Sequence, residues 1–302
     1  MKAIVVYDGV GEVPQLRWED VPDVRFGADE VLVQIKATAV NRADLMQAAG
    51  QYPPPAGESE ILGLEMAGFI VAVGEDVTEW QVGDRVCALL SGGGYAELVA
   101  VPQGMLMRLP EGWSFAQGTA VPEVWFTAYV NLFLEGNLET GETILIHAGA
   151  SGVGTAAIQL AKAVGAKSIV TAGNVDKLQA CLRLGAFEAI NYKQQDFEAA
   201  VLAATNEKGV DVILDPVGGN YLAKNVRLLK RFGRLVSIGL LGGAMGELNM
   251  AQLLGKRLTI IGSTLRSRPL SEKIEITEQF INRFWSPLTT GELKPIIDTT
   301  FP

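Results

Sequence analysis

The 302-residue sequence has a single histidine, His147, and only two cysteines, Cys87 and Cys181. Two cysteines cannot build a disulfide scaffold and fit a reducing compartment. No apolar run is long enough to cross a bilayer. The N-terminal stretch from Met1 to Tyr7 is too short for a signal peptide and meets Asp8 at once. These absences set the expectation of a cytoplasmic protein with no membrane partner. Positive charge is also scarce, with 25 Lys and Arg against 34 Asp and Glu and a net charge of −9. An acidic chain repels phosphodiester backbones, which sets nucleic acid aside as a partner. Lys230, Arg231 and Arg234 do cluster, and they read as a solvated helix end turning into a strand.

What the sequence has is apolar residues, 48% of the total, and glycine. The length suits two domains, each with its own core. Up to about residue 110 the chain reads as short strands with Gly and Pro punctuation. Val31, Val33, Ile35 and Ala37 make one apolar face at period two. Further short strands are predicted over 68–73, 85–90 and 95–101. A helix is predicted over 42–48, with Asn41 as N-cap and Asp44 three residues on. Three prolines make 51–55 a loop.

From about residue 120 the rhythm changes. A helix is predicted over 123–134, followed by apolar runs at 143–147, 168–172, 188–191, 210–214, 234–238 and 258–261. Helical patterns separate most of them, and Val153, Ala156, Ala157, Leu160 and Val164 mark the face of the first. This alternation predicts a doubly wound parallel α/β sheet. No internal repeat or low-complexity segment is present.

The run Ile144-Leu145-Ile146-His147-Ala148-Gly149-Ala150-Ser151-Gly152-Val153-Gly154 leads from the first strand straight into that helix. A strand, a glycine turn and a helix N-terminus together aim backbone N–H groups at a pyrophosphate. Gly152 lets the backbone approach the phosphate, and Gly154 lets the helix approach the strand. Ser151 stands where many such turns have glycine, and its hydroxyl can donate to phosphate. Dinucleotide sites for NAD place an acid about 20 residues on, at the end of the second strand. Here Thr171-Ala172-Gly173-Asn174 carries none. Lys177 follows in a first helical turn, where a cation opposes the helix dipole unless an anion such as a 2′-phosphate is near. Tyr192 closes the third strand and can flank the adenine ribose. NADPH is therefore expected over NADH, with a solvated Lys177 as the alternative.

Several motifs are shared with a known family. Gly63-Leu64-Glu65-Met66-Ala67-Gly68, then Val73-Gly74 and Val82-Gly83-Asp84-Arg85-Val86, resembles the medium-chain dehydrogenase/reductase signature. The 149–154 turn with Gln159 and Lys162 resembles its zinc-free quinone oxidoreductase/ζ-crystallin branch. Within that branch, Val40-Asn41-Arg42-Ala43-Asp44-Leu45-Met46-Gln47, Gly50-Gln51-Tyr52, Val170-Thr171-Ala172-Gly173 and Leu265-Arg266-Ser267-Arg268 resemble the tumour-suppressor-induced quinone oxidoreductases. The resemblance covers the whole chain. It implies a Rossmann domain over 121–262 and a β-rich, GroES-like catalytic domain formed by 1–120 and 263–302. It places cofactor contacts on Asn41, Thr127, Ser151, Gly152, Val153, Gly154, Gly173, Lys177, Tyr192, Gly239, Leu240, Leu241, Ser263, Thr264 and Leu265. It places Tyr52 in the substrate cleft and implies homodimers pairing near 258–261. Relatives continue for about 25 residues past the position of Pro302, as a helix and a strand, so the catalytic domain is expected to be incomplete here.

The residues constrain the chemistry. Catalytic zinc needs three protein ligands. The family's metal-binding histidine falls at Leu64, no cysteine lies near Asn41, and no four-cysteine lobe exists. Zinc is not expected, and alkoxide formation from an alcohol is then poorly supported. Quinones or conjugated enones, which take hydride without metal help, become the expected acceptors. Tyr52 and Asn41 are the catalytic candidates. Tyr52 can donate to a developing oxyanion or stack on the acceptor, and it reads equally well as a loop aromatic packed on prolines. Asn41 is explained as an N-cap, and Thr127 as a helical hydroxyl bonded to a preceding carbonyl. His147 ends a core strand and reads as structural. A hydrolase reading of Gly149-Ala150-Ser151 fails, because Val153 stands where a nucleophile elbow needs glycine and no histidine follows the serine. The remaining rival is a non-enzymatic NADPH-binding protein of ζ-crystallin type.

Overall fold

A computed structural model describes residues 1–7 and 13–302. Asp8, which ends the N-terminal apolar stretch, lies outside the described residues. The chain forms two compact units, Met1–Phe126 with Arg266–Pro302, and Thr127–Leu265.

The first unit is built on antiparallel strands. β1 (Lys2–Tyr7) and β2 (Gln15–Asp20) pair with each other. A five-stranded sheet follows, from β3 (Glu30–Ala37), β4 (Glu65–Val73), β5 (Arg85–Leu89), β6 (Leu98–Pro102) and β7 (Leu106–Arg108), in the order β6-β3-β4-β5-β7. Along β3, Val31 and Val33 are fully buried while Gln34 and Lys36 are exposed, the alternation that period two dictates. Two register shifts between β3 and β4 bend this pair, as bulges do. Between β3 and β4 lies α1 (Arg42–Ala48), with the predicted bounds, and after β7 come α2 (Phe115–Thr119) and α3 (Pro122–Tyr129). The 51–55 segment is a loop.

The second unit carries six parallel strands: β8 (Thr143–Ile146), β9 (Lys167–Ala172), β10 (Glu188–Asn191), β11 (Val210–Asp215), β12 (Leu229–Ser237) and β13 (Thr259–Gly262). Their order is β10-β9-β8-β11-β12-β13, so the first strand is central and the winding reverses beside it. Helices α4 (Gly152–Ala163), α5 (Val175–Leu184), α6 (Phe197–Ala204), α7 (Gly219–Leu228) and α8 (Met250–Lys256) alternate with the strands. Leu145, Ile169, Ile190, Val201, Ile213 and Leu235 belong to its core. Each side chain of this size, fully buried, contributes about 1.5–3 kcal/mol. This doubly wound sheet and the curled antiparallel sheet give the expected fold class.

Two local expectations need correction. The helix predicted over 123–134 begins with Pro122, and its regular turns stop at Tyr129. Residues Val130–Glu135 continue as a wider π-helical turn, where the Asn131 amide donates to the Thr127 carbonyl at 2.7 Å. The basic cluster is not a helix end. Lys230, Arg231 and Arg234 all lie within β12, which starts five residues earlier than the apolar run suggested. Lys230 pairs with Asp211 at 2.7 Å, Arg234 with Glu142 at 2.7 Å, and Arg231 stacks on Phe232.

Candidate functional site

In the second unit, the carboxyl ends of β8 and β9 and the amino ends of the helices that follow them bring several candidates together. After β8 the chain turns sharply through Ala148, which adopts a left-handed φ of 53°. Ser151 is the N-cap of α4, and its Oγ accepts the Gly154 N–H at 3.1 Å. The N–H groups of Gly152 and Val153 find no acceptor among the described residues, as expected for the first turn of a helix. Ser151 and Gly152 are exposed. A Cβ on Gly154 would lie 2.5 Å from the carbonyl oxygens of both Ala148 and Gly149, so only glycine allows this helix to start so close to the strand. The result is a 12-residue helix whose outward N–H groups and positive dipole end face an anion.

At the end of β9, Gly173 lies close to Tyr192. A Cβ on Gly173 would stand 3.1 Å from the tyrosine hydroxyl. Asn174 caps α5 by accepting the Lys177 N–H at 2.9 Å. The Lys177 side chain is exposed, and its ammonium makes no ion pair among the described residues. Farther along the sheet, Gly239, Leu240 and Leu241 follow β12, with the Leu241 N–H on the Pro216 carbonyl at 3.1 Å. Ser263 follows β13, and its N–H binds the Ser237 carbonyl at 3.0 Å. Its hydroxyl is buried without a partner among the described residues. Leu265 is buried, and Thr264 is exposed. Thr127 is half-buried.

In the first unit, Asn41 stands at the N-cap position of α1. Asp44 Oδ2 accepts the Asn41 N–H at 2.7 Å, the return half of a capping box. The Asn41 side chain is engaged elsewhere. Its Nδ2 donates to Oε1 of Glu65 at 2.7 Å. Oε2 of Glu65 accepts the Glu123 N–H at 2.8 Å. Glu65 is only 1% exposed. Burial pushes its carboxyl up to about 8, against the pull of these two donors. Burial likewise raises Asp44, although Asn41, Tyr95 and Gly63 all donate to it.

Tyr52 lies in the 51–55 loop, half-buried, with burial raising its hydroxyl and Arg266 opposing that rise. The Arg266 guanidinium sits 5.5 Å from the Tyr52 ring centre. Its Nε donates to the Ser91 carbonyl at 2.7 Å, while Nη2 is buried with no partner. A cavity of about 480 Å³ in this unit is lined by Ser91, Leu98, Val101, Met105, Leu270 and Lys273; neither Tyr52 nor Asn41 lines it. Glu65 and Arg266 join the site without having been sequence-derived candidates, although both lie within the family motifs. A carboxylate inside the apolar run Leu62–Ala67 was the available signal for Glu65, since a buried strand tolerates one only when it is bonded.

Residues 27–111 match the family described as alcohol dehydrogenase GroES-like domain, and residues 152–283 match the family described as zinc-binding dehydrogenase. The whole chain is 33% identical to a quinone oxidoreductase of Rattus norvegicus and covers 90% of it. Over 235 residues, 76% of the chain, it is 40% identical to the phenolphthiocerol synthesis polyketide synthase type I Pks15/1 of Mycobacterium marinum, and it spans 11% of that protein's length. The Escherichia coli quinone oxidoreductase complexed with NADPH superposes with a TM-score of 0.85 at 31% identity, over 98% of this chain and 90% of that one. The CurK enoyl reductase superposes equally well, with a TM-score of 0.85 at 28% identity over 100% of this chain and 92% of that one.

The donor set does not fit the zinc in the second family description. His147 commits both ring nitrogens to Thr171 and Asn225, Leu64 is buried and apolar, and Cys87 and Cys181 belong to different units. Among the described residues, no three of His, Cys, Asp and Glu gather as a metal site. A phosphorylated dinucleotide does fit. The free N–H groups of Gly152 and Val153, the crowding around Gly154 and the unpaired Lys177 ammonium match its pyrophosphate and 2′-phosphate in charge and in hydrogen-bonding sense.

Proposed function

Because the chain belongs to the zinc-free medium-chain dehydrogenase/reductase family and uses NADPH, we propose that it is an NADPH-dependent quinone oxidoreductase. The observation that carries this reading is the open amino end of α4, poised against β8 with Ser151 as its cap. In this reading Gly152, Val153 and the Ser151 hydroxyl hold the pyrophosphate, and Gly154 keeps the helix close. Lys177 takes the 2′-phosphate, with Gly173 and Tyr192 beside the adenine ribose. Gly239, Leu240, Leu241, Ser263, Thr264, Leu265 and Thr127 line the nicotinamide half.

Bound NADPH supplies a hydride from its nicotinamide ring. The chain supplies position and electrostatics. Oε1 of Glu65 accepts the Asn41 amide N–H, which holds this side chain at the start of α1, and the Asn41 carbonyl oxygen is the proposed acceptor for a ribose hydroxyl. The Tyr52 hydroxyl donates to the oxygen on which negative charge develops in a quinone. The Arg266 guanidinium beside that ring stabilises the same charge. No residue of this set has to be a nucleophile, as expected for transfer to a conjugated acceptor.

A second reading, reduction of an alkenal or enone double bond, is favoured by the likeness to the CurK enoyl reductase. Both need a hydride donor and an oxyanion partner. An NADPH-oxidation screen over ortho-quinones, para-quinones and enals decides between them. Turnover of quinones with enals inert supports the first reading, and the reverse supports the second. NADPH binding without turnover of either class favours a non-enzymatic role. We also propose that the protein is a homodimer pairing along β13. That strand is the open edge of the parallel sheet, and its Ile260 is partly exposed. Light scattering of wild type and of Ile260→Lys tests this, with monomers expected from the variant. In line with the absence of any helix long and apolar enough to cross a membrane among the described residues, the proposed location is the cytoplasm.

A further inference from the structure

The single histidine lies where the winding of the parallel sheet reverses. β9 flanks β8 on one side and β11 on the other. The backbone ladder across this point ends early. The His147 N–H binds the Leu214 carbonyl at 3.1 Å, and the Gly149 N–H binds the Thr171 carbonyl at 2.9 Å. Beyond these bonds the chains part toward helices, and such a point is where a crevice opens in a doubly wound sheet.

Side chains bridge that gap. The His147 ring, 1% exposed, has Nδ1 at 3.1 Å from Thr171 Oγ1 and Nε2 at 2.9 Å from Asn225 Oδ1. Asn225 Nδ2 donates to Asp215 Oδ2 at 3.0 Å, and Asp215 Oδ1 accepts the N–H groups of Val217 and Gly218 at 2.7 and 3.1 Å. The Asp215 carboxylate fixes the Asn225 amide with its nitrogen toward Asp215. Its carbonyl then faces His147 and can only accept, so Nε2 carries the ring proton. Nδ1 is bare and accepts from the Thr171 hydroxyl. Every proton along Thr171, His147, Asn225 and Asp215 points the same way. Phe197 and Tyr221 pack edgewise on the imidazole, with ring centres 5.0 and 4.8 Å away.

We propose that His147 is a positioning residue for NADPH. Its ring sets the spacing of three turns, the 148–151 turn after β8, the 173–174 turn after β9 and the 216–218 turn after β11, without touching the cofactor. The inference rests on the cofactor reading above, since it needs those turns to be the cradle. It explains why a polar ring occupies a fully enclosed core position. A phenylalanine would fill the volume, but only a group that accepts on one side and donates on the other joins a hydroxyl to an amide carbonyl.

The test uses the full-length protein as wild type, His147→Phe, His147→Gln and Thr171→Val. NADPH affinity is measured by titration calorimetry, and amide hydrogen exchange is measured without cofactor. His147→Phe is expected to raise the NADPH dissociation constant at least tenfold, with kcat at saturation within twofold of wild type. The bonded amides of Gly149, Ser151, Gly154, Val217 and Gly218 are expected to exchange at least tenfold faster, while those of β13 and α8 stay unchanged. His147→Gln, which retains a donor for Asn225, is expected to recover part of the affinity. Thr171→Val removes one hydroxyl with little change of shape, and it carries the test if His147→Phe does not fold. At least a threefold loss of affinity with faster exchange at Gly149 is expected from it. Unchanged affinity with unchanged exchange in the folded variants overturns the proposal, as does acceleration spread evenly over the unit. Wild-type protein that fails to bind NADPH sinks the cofactor reading instead. Local exchange at the three turns still reports whether His147 joins them.

Discussion

The Asn41 amide nitrogen lies 2.7 Å from Oε1 of Glu65, a carboxylate enclosed in β4 and raised by burial to about 8. One buried acid thus holds the amide at the start of α1 and the backbone N–H at Glu123. An unfolded glutamate ionises near its usual value of 4.5, so between about 4.5 and 8 the folded protein binds the extra proton. Stability contributed by this group is full below that window and is lost as pH rises through it. Its slope is at most about 1.4 kcal/mol per pH unit. Urea denaturation from pH 5 to 8 is expected to show stability falling with pH in wild type and a shallower dependence in Glu65→Gln. Because glutamine can accept from only one of the two donors with its single oxygen, the variant is also expected to lose about 1–3 kcal/mol.

The lone histidine provides a clean pH probe. Burial holds the His147 imidazole below its ordinary value of 6.5, with Asp215 and Asn225 opposing that effect. A histidine depressed in the folded state contributes stability above 6.5 that is lost on acidification. With one histidine in the chain, the proton on its Cε1 gives a single assignable NMR signal. That signal is expected to stay in its neutral position as pH falls through 6.5. Titration at 6.5 would show that the ring is hydrated.

At Gly154 the obstacle to a side chain is backbone. A methyl group would meet two carbonyl oxygens at 2.5 Å. Gly154→Ala is expected to lower stability by about 1–3 kcal/mol, as overpacking does. It is also expected to weaken NADPH binding more than tenfold, because α4 must retreat from β8. Chemical denaturation and fluorescence titration measure the two effects.

Tyr52 and Arg266 are expected to separate in kinetics. Tyr52→Phe retains the ring and the guanidinium contact but removes the hydroxyl. A fall in kcat of about ten- to hundredfold with little change in the KM for NADPH is expected if that hydroxyl stabilises the oxyanion. Arg266→Met is expected to lower kcat and also to raise the KM for the quinone, since the loop carrying Tyr52 loses its stacking partner. Steady-state kinetics with NADPH and the quinone varied in turn distinguish the two patterns.

Much of this architecture was legible in the sequence. The six parallel strands followed from apolar runs bounded by helical patterns, and α1 took its bounds from Asn41 and Asp44. The legible features are local. Those that escaped depend on partners far away in the chain. β12 begins at Leu229 because Lys230 finds Asp211 and Arg234 finds Glu142, ion pairs that let charged residues enter a strand. Glu65 looks like a misplaced charge until Asn41 and Glu123, 24 and 58 positions away, supply its donors. Arg266 reaches Ser91 and the Tyr52 ring from 175 and 214 positions away, which no periodicity could signal. His147 was read as structural, and its partners Thr171 and Asn225 lie 24 and 78 positions off.

Cofactor choice in this protein rests on the α4 amino end together with the cation at Lys177. Dissociation constants for NADPH and NADH, measured by calorimetry on wild type and Lys177→Ala, test it. Wild type is expected to prefer NADPH by about tenfold or more, and the variant to lose most of this preference through weaker NADPH binding while its NADH affinity barely changes. Equal losses for both dinucleotides, or a wild type that prefers NADH, would contradict it.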